Sequence, residues 1–272
     1  MPSREVLVNT PFSFNQRMSE PSYTILVRGV PVPVKAHKYS AMRDLPLSPF
    51  IHSDLLQNWV ANLEPGLDVQ EILLSDFNYF GKRLGFLKIE AVVSYEGIRI
   101  PGVCFLRGDS VCILTVLHNV DDGVDYTILT NQPRVPVGAA GLLELPAGML
   151  DDGKFLGVAA KEFKEEVGIE LKESDLIDLQ AKVNEISGIA PSRGIVPSGG
   201  GCDEKIRPFL HKRNVTTAEL DEMRGKATGL RKEGEMIVLA IERLDRVWLK
   251  SSDAKLLSAL TLYNNLHAIG AV

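Results

Sequence analysis

The stretch Glu144-Leu-Pro-Ala-Gly148, followed by Lys161-Glu-Phe-Lys-Glu-Glu-Val-Gly-Ile169, decides how this chain is read. On an α-helix, positions i, i+3 and i+4 share a face, so Glu162, Glu165 and Glu166 project three acids toward one point. Carboxylates packed this closely repel one another. A hard divalent cation such as Mg²⁺ or Mn²⁺ reverses that sign, because it takes oxygen ligands and shares them with substrate phosphates. Three glutamates alone favour a solvated acidic helix face. The preceding Pro-Ala-Gly weighs against that reading, since a sharp turn with small side chains lets a backbone carbonyl approach a cation.

The rest of the chain is consistent with an ordinary globular protein. Its 272 residues, 45% apolar and 24% charged, are enough to bury a full core in one large or two modest domains. No apolar run approaches the roughly 20 residues needed to cross a bilayer, and no basic segment followed by an apolar one opens the chain. The expected location is the cytoplasm, with an organelle left open, and no membrane partner is expected. Cys104, Cys112 and Cys202 have neither zinc-site spacing nor the density of a disulfide framework. The net charge of −5, without a Lys/Arg block, argues against a nucleic-acid surface. The five histidines show no pair at ligand spacing, and no serine or cysteine nucleophile motif occurs.

Along the chain, residues 1 to 22 read as an extended arm. Tyr23 to Val34 reads as a strand, a turn and, because of Pro31 and Pro33, an edge strand. Ser53 is placed to cap a helix in which Leu55, Trp59 and Leu63 share a face, ended by Pro65-Gly66. Phe86 to Val93 and Ile98 to Phe105 form a hairpin around Ser94-Tyr-Glu-Gly97. Arg107-Gly-Asp109 reads as a turn. Val111 to Leu117 is a strand buried on both faces, with Tyr126 to Thr130 as its partner. Further elements fall at Leu176 to Val183, Val215 to Leu220 and Glu235 to Ile241. Ser251 or Ser252 opens an amphipathic C-terminal helix. The order of strands and helices predicts a mixed α/β domain.

Gly148 and Lys161 to Ile169 resemble the Nudix hydrolase box: Gly, five residues, Glu, seven residues, then Arg-Glu-apolar-x-Glu-Glu-x-Gly-apolar. Lys154 stands at the mid-box acid, Lys161 stands at the arginine, and the segment between them is one residue short. The resemblance covers about residues 105 to 250. It implies an α/β/α sandwich with a smaller β-rich N-terminal domain, divided as residues 1–104 and 105–272. It also implies Mg²⁺ or Mn²⁺ held by Glu162, Glu165, Glu166 and the carbonyl of Ala147. Within the family, Glu-Leu-Pro-Ala-Gly-Met-Leu-Asp-Asp, Gly-Gly-Cys-Asp-Glu204, Thr228-Gly-Leu-Arg231 and Asp253-Ala-Lys255 are most similar to plant-type ADP-sugar diphosphatases. Those relatives are homodimers whose N-terminal domain joins the interface and the nucleotide site.

Five further residues acquire expected roles from that branch. Arg134, in Gln132-Pro-Arg-Val-Pro, matches an arginine that reaches the phosphates, for which a planar guanidinium is suited. Asp203 and Glu204 fall in a glycine-rich turn that borders the substrate beside Gly148. Glu233 and Glu235, on a glycine-bearing loop, match a metal ligand or general base, and a solvated loop is the other reading. The expected reaction is hydrolysis of ADP-glucose or ADP-ribose to AMP and a sugar phosphate. The alternative, motivated by Lys154, Lys161 and the shortened box, is a Nudix-like module that binds a nucleotide without cleaving it.

Overall fold

A computed structural model describes residues 23–150, 155–188, 192–230 and 234–272. The expected arm at residues 1–22, Lys154 and Glu233 therefore lie outside the described residues. The first half builds one sheet from β1 (Tyr23–Val27), β2 (Val30–Ala36), β3 (Leu67–Phe80), β4 (Arg83–Tyr95), β5 (Ile98–Ile100) and β6 (Val103–Leu106), in the order β1-β2-β3-β4-β5 with β6 also on β4. Two helices, α1 (Ser48–Ile51) and α2 (Asp54–Ala61), close its core through Phe50, Ile51, Leu55 and Leu56. Ser53 caps α2 as expected, its Oγ accepting the Leu56 amide at 3.4 Å.

The expectation that β2 is an edge strand is corrected: it lies between β1 and β3. A proline cannot donate to a ladder. Pro31 and Pro33 accordingly fall opposite Leu26 and Thr24 of β1, and β2 joins β3 in parallel only beyond them, over Val34–Ala36.

The second half is a sheet with helices on both faces, the α/β/α sandwich expected from the resemblance. Its strands are β7 (Ser110–Asn119), β8 (Asp125–Arg134), β9 (Ala139–Glu144), β10 (Ala147–Met149), β11 (Leu176–Asp178), β12 (Ile206–Val215), β13 (Ala227–Thr228) and β14 (Ile237–Arg243). The helices are α3 (Phe155–Val167), α4 (Leu179–Ser187), α5 (Thr217–Met223) and α6 (Ala254–Ala268). β7 is buried on both sides, as its apolar run predicts. Val111, Ile113 and Leu117 meet Ala159 and Phe163 of α3 on one face, while Cys112, Leu114 and Val116 share a core with Leu256, Ala259 and Leu260 of α6 on the other. This alternation is the period-two geometry of a strand.

The sheet is split by a wedge. β7 and β8 pair only at Leu117–Tyr126 and His118–Asp125. Beyond that end they part, and the chain from β9 to β10 fills the gap, with β9 pairing β8 and β10 pairing β7. Pro146 stands at the switch, where a missing amide removes one ladder donor, and its carbonyl accepts the Ile113 amide at 3.0 Å. The two halves of the molecule meet beside this region: the Phe105 amide donates to the Gly201 carbonyl at 2.8 Å, and Arg193 bridges Asn62 to Asp109.

Close backbone approach also governs the first sheet. A Cβ on Gly102 would lie 2.0 Å from the Ala91 carbonyl oxygen. Gly102→Ala should therefore lower stability by on the order of 4 kcal/mol in urea denaturation, the range reserved for strain of this kind. Gly200→Ala, where nothing lies within 4 Å of the added carbon, should leave the midpoint nearly unchanged.

Candidate active site

The wedge brings the Ala147–Gly148 turn beneath α3. Glu166, in the last turn of α3, accepts the Ala147 amide on Oε2 at 2.9 Å. Glu162 lies directly over Gly148, where an added Cβ would stand 2.0 Å from its Cδ. Glycine is required here for close approach. The Thr228 hydroxyl donates to the Glu166 carbonyl at 2.5 Å, which ties β13 to the same helix end.

The three acids differ in surroundings. Glu166 is buried, whereas Glu162 and Glu165 are half-buried. Burial pushes the Glu166 carboxyl up to about 8, the Ala147 amide pulls it back, and the charges of Glu162 and Glu144 raise it further. Glu165 stands 3.9 Å from Lys161, one turn earlier on the helix. Lys161 thus places its charge beside a box carboxylate, as a point charge without the fork of an arginine. Among the described residues, no three Asp, Glu, His or Cys side chains form a metal-holding group. Glu166 is directed to the Ala147 amide and Glu165 toward Lys161.

Arg134 closes the opposite side of the wedge. Its Nε donates to Glu144 Oε1 at 2.6 Å, and its Nη edge makes no hydrogen bond among the described residues. Its side chain is 41% exposed. Two residues earlier on β8, Gln132 is buried with its Nε2 unpartnered among the described residues. Glu144 is itself buried, and its second oxygen meets Lys255 Nζ at 2.5 Å. Lys255 also meets Asp253 Oδ1 at 3.1 Å, and Asp253 Oδ2 accepts the Leu145 amide at 3.1 Å. In the sequence, Glu144, Asp253 and Lys255 carry no individual role; the signal for them was their place in two short motifs similar to the same branch.

The remaining expected residues lie farther from the acids in function. Asp203 Oδ1 accepts the amides of Arg107 and Gly108 at 2.8 and 3.3 Å, and Glu204 accepts the Ser110 hydroxyl at 2.7 Å while facing Arg107 at 3.4 Å. Both brace the Arg107–Asp109 turn. Glu235, which is exposed, accepts the Leu230 amide at 3.1 Å across its own loop. A cleft of about 850 Å³ opens between the two halves and is lined by Trp59, Tyr79, Arg83, Arg107, Asp109 and Leu150 among others. Among the described residues of the box turn it touches Leu150, and none of Ala147, Gly148, Glu162, Glu165 and Glu166 lines it.

No family model matches the chain. It is 40% identical, over 234 residues, to a protein of Arabidopsis thaliana named Nudix hydrolase 14, chloroplastic, covering 82% of this chain and 74% of that one. The chain belongs to the Nudix hydrolase family, enzymes that act on phosphoanhydride bonds. Among solved structures, it is similar to one described as an ADP compounds hydrolase, at 18% identity and a TM-score of 0.44, covering 75% of this chain and 99% of that one. A second is a Caenorhabditis elegans Ap4A hydrolase in a binary complex, at 15% identity and a TM-score of 0.37, covering 58% and 98%.

Two outcomes follow from this geometry. Gly148→Ala should displace Glu162 and abolish most activity, with a much smaller change in melting temperature, read by turnover and thermal denaturation together. The second concerns pH. Below about 4.5 both folded and unfolded chains hold the Glu166 proton; between about 4.5 and 8 only the folded chain keeps it, so stability falls as pH rises through this window. At about 1.4 kcal/mol per unit the loss has an upper bound of roughly 5 kcal/mol. Glu166→Gln should flatten that decline in melts run with EDTA; a variant melting in parallel with the parent at pH 5 and pH 8 would contradict it.

Proposed function

We propose that the chain hydrolyses the diphosphate of an ADP-sugar, ADP-glucose or ADP-ribose, to AMP and a sugar phosphate. The observation that carries this reading is the packing of Glu162 and Glu166 against the Ala147–Gly148 turn. A buried carboxylate beside two more gathers hard oxygen donors of the kind a divalent cation takes. Glu162, Glu165, Glu166 and the Ala147 carbonyl would hold Mg²⁺ or Mn²⁺. Such a cation, when bound, neutralises a diphosphate and lowers the pKa of an attacking water.

The chain's own groups supply the rest. Arg134 offers its unbonded Nη edge to the diphosphate, where paired donors match phosphate oxygens and stabilise developing charge. Glu233 or Glu235 accepts a proton from water, and Glu235 must first leave the Leu230 amide. Asp203 and Glu204 act by holding the Arg107–Asp109 turn at the wall of the cleft, whose size is typical for a small-molecule site. The cleft would take the end of the substrate that extends past Leu150. The same reading includes residues 1–104 as an N-terminal domain and a homodimer that uses it, which light scattering tests.

An AMP-release screen over nucleotide sugars with Mg²⁺ and Mn²⁺ should give the highest rates with ADP-glucose or ADP-ribose. Glu166→Gln should lower kcat at least about 100-fold while the protein stays folded. Retention of most turnover by that variant, or binding of both ADP-sugars without AMP release, would sink the proposal.

A further inference from the structure

We propose that Lys255 is a positioning residue for the diphosphate: it holds one oxygen of Glu144 so that Arg134 takes the other through Nε alone and keeps its Nη edge unbonded. The inference rests on the reading of Arg134 given above, and it adds a residue from the far end of the chain. Lys255 is the second residue of α6, and its side chain is 12% exposed. Asp253 fixes it from both sides, accepting the Lys255 amide at 3.2 Å and Nζ at 3.1 Å on Oδ1 while Oδ2 takes the Leu145 amide. The ammonium is therefore anchored to the corner between β9 and β10 before it reaches Glu144.

Charge and geometry explain why this arrangement orients the arginine. Glu144 and Asp253 carry two negative charges, Arg134 and Lys255 two positive ones, so the cluster balances. A guanidinium and a carboxylate favour a two-bond fork when both oxygens are open. Here Lys255 occupies Oε2 at 2.5 Å, which leaves Arg134 a single bond to Oε1 at 2.6 Å. Without the ammonium, Glu144 would present both oxygens, and the fork would draw in a terminal nitrogen otherwise available to a phosphate.

The test is a double-mutant cycle between Lys255 and Arg134, read on two quantities. In steady-state hydrolysis of ADP-glucose with Mg²⁺, Lys255→Met should raise KM about tenfold and change kcat less than about threefold. In an Arg134→Ala background, the same change should alter kcat/KM by less than about twofold. Calorimetric binding of ADP in EDTA should repeat the pattern without any turnover. Should Lys255→Met fold poorly, Glu144→Gln combined with it restores charge balance and presents a single carbonyl oxygen to Arg134, so affinity should return close to that of the parent. Equal losses with and without Arg134, or full affinity in a folded Lys255→Met protein, would overturn the proposal. Failure of every nucleotide sugar to be cleaved would instead refute the hydrolytic reading, and the ADP cycle would still decide the role of Lys255.

Discussion

A carboxylate taken out of water must be paired, protonated or coordinated, and Glu144 and Glu166 are both buried at the wedge in the second sheet. They meet that demand differently. Glu144 is paired twice, by Arg134 and Lys255. Glu166 has one backbone amide and the repulsion of its neighbours, and burial holds its carboxyl up to about 8. The first arrangement makes a rigid frame, and the second leaves a group whose charged form a bound cation would further stabilise.

The wedge is what puts the two within reach of each other. Had β7 and β8 paired along their length, β9 and β10 would have no place between them, and the Ala147–Gly148 turn would not sit beneath α3. Pro146 marks the change of partner from β8 to β7, and the segment before α6 braces it: Ser251 donates to the Leu143 carbonyl and Asp253 receives the Leu145 amide. The last helix therefore contributes to the site although it carries none of the box residues.

Much of this was legible in order of residues. The unbroken apolar run of β7, the i, i+3, i+4 acids of α3 and the Ser53 cap each reflect a local rule that the folded chain obeys. β3 escaped that reading because three register shifts, at Val69/Glu71, Leu74/Asp76 and Asn78/Tyr79, break its alternation. β12 escaped it as well: Lys212, Arg213 and Asn214 lie past the end of β11, where one flank of the strand is uncovered, so a central strand reads as polar. The C-terminal helix starts at Asp253 rather than Ser251 or Ser252, since Ser251 is engaged with β9 and with the Asp253 amide. The acids of the box could be found by helical spacing, but the pairing of Glu144 with Lys255 spans 111 positions and no local pattern encodes it.

The central claim is that burial holds the Glu166 carboxyl up to about 8, so that it carries a proton near neutral pH. A protonated ligand must release that proton when a metal binds. Calorimetric titration of Mg²⁺ at pH 7, repeated in buffers of different ionisation enthalpy, counts it directly. The account predicts release of about one proton per bound ion at pH 7, falling toward none above about pH 9. Binding of Mg²⁺ with no proton released at either pH would contradict it.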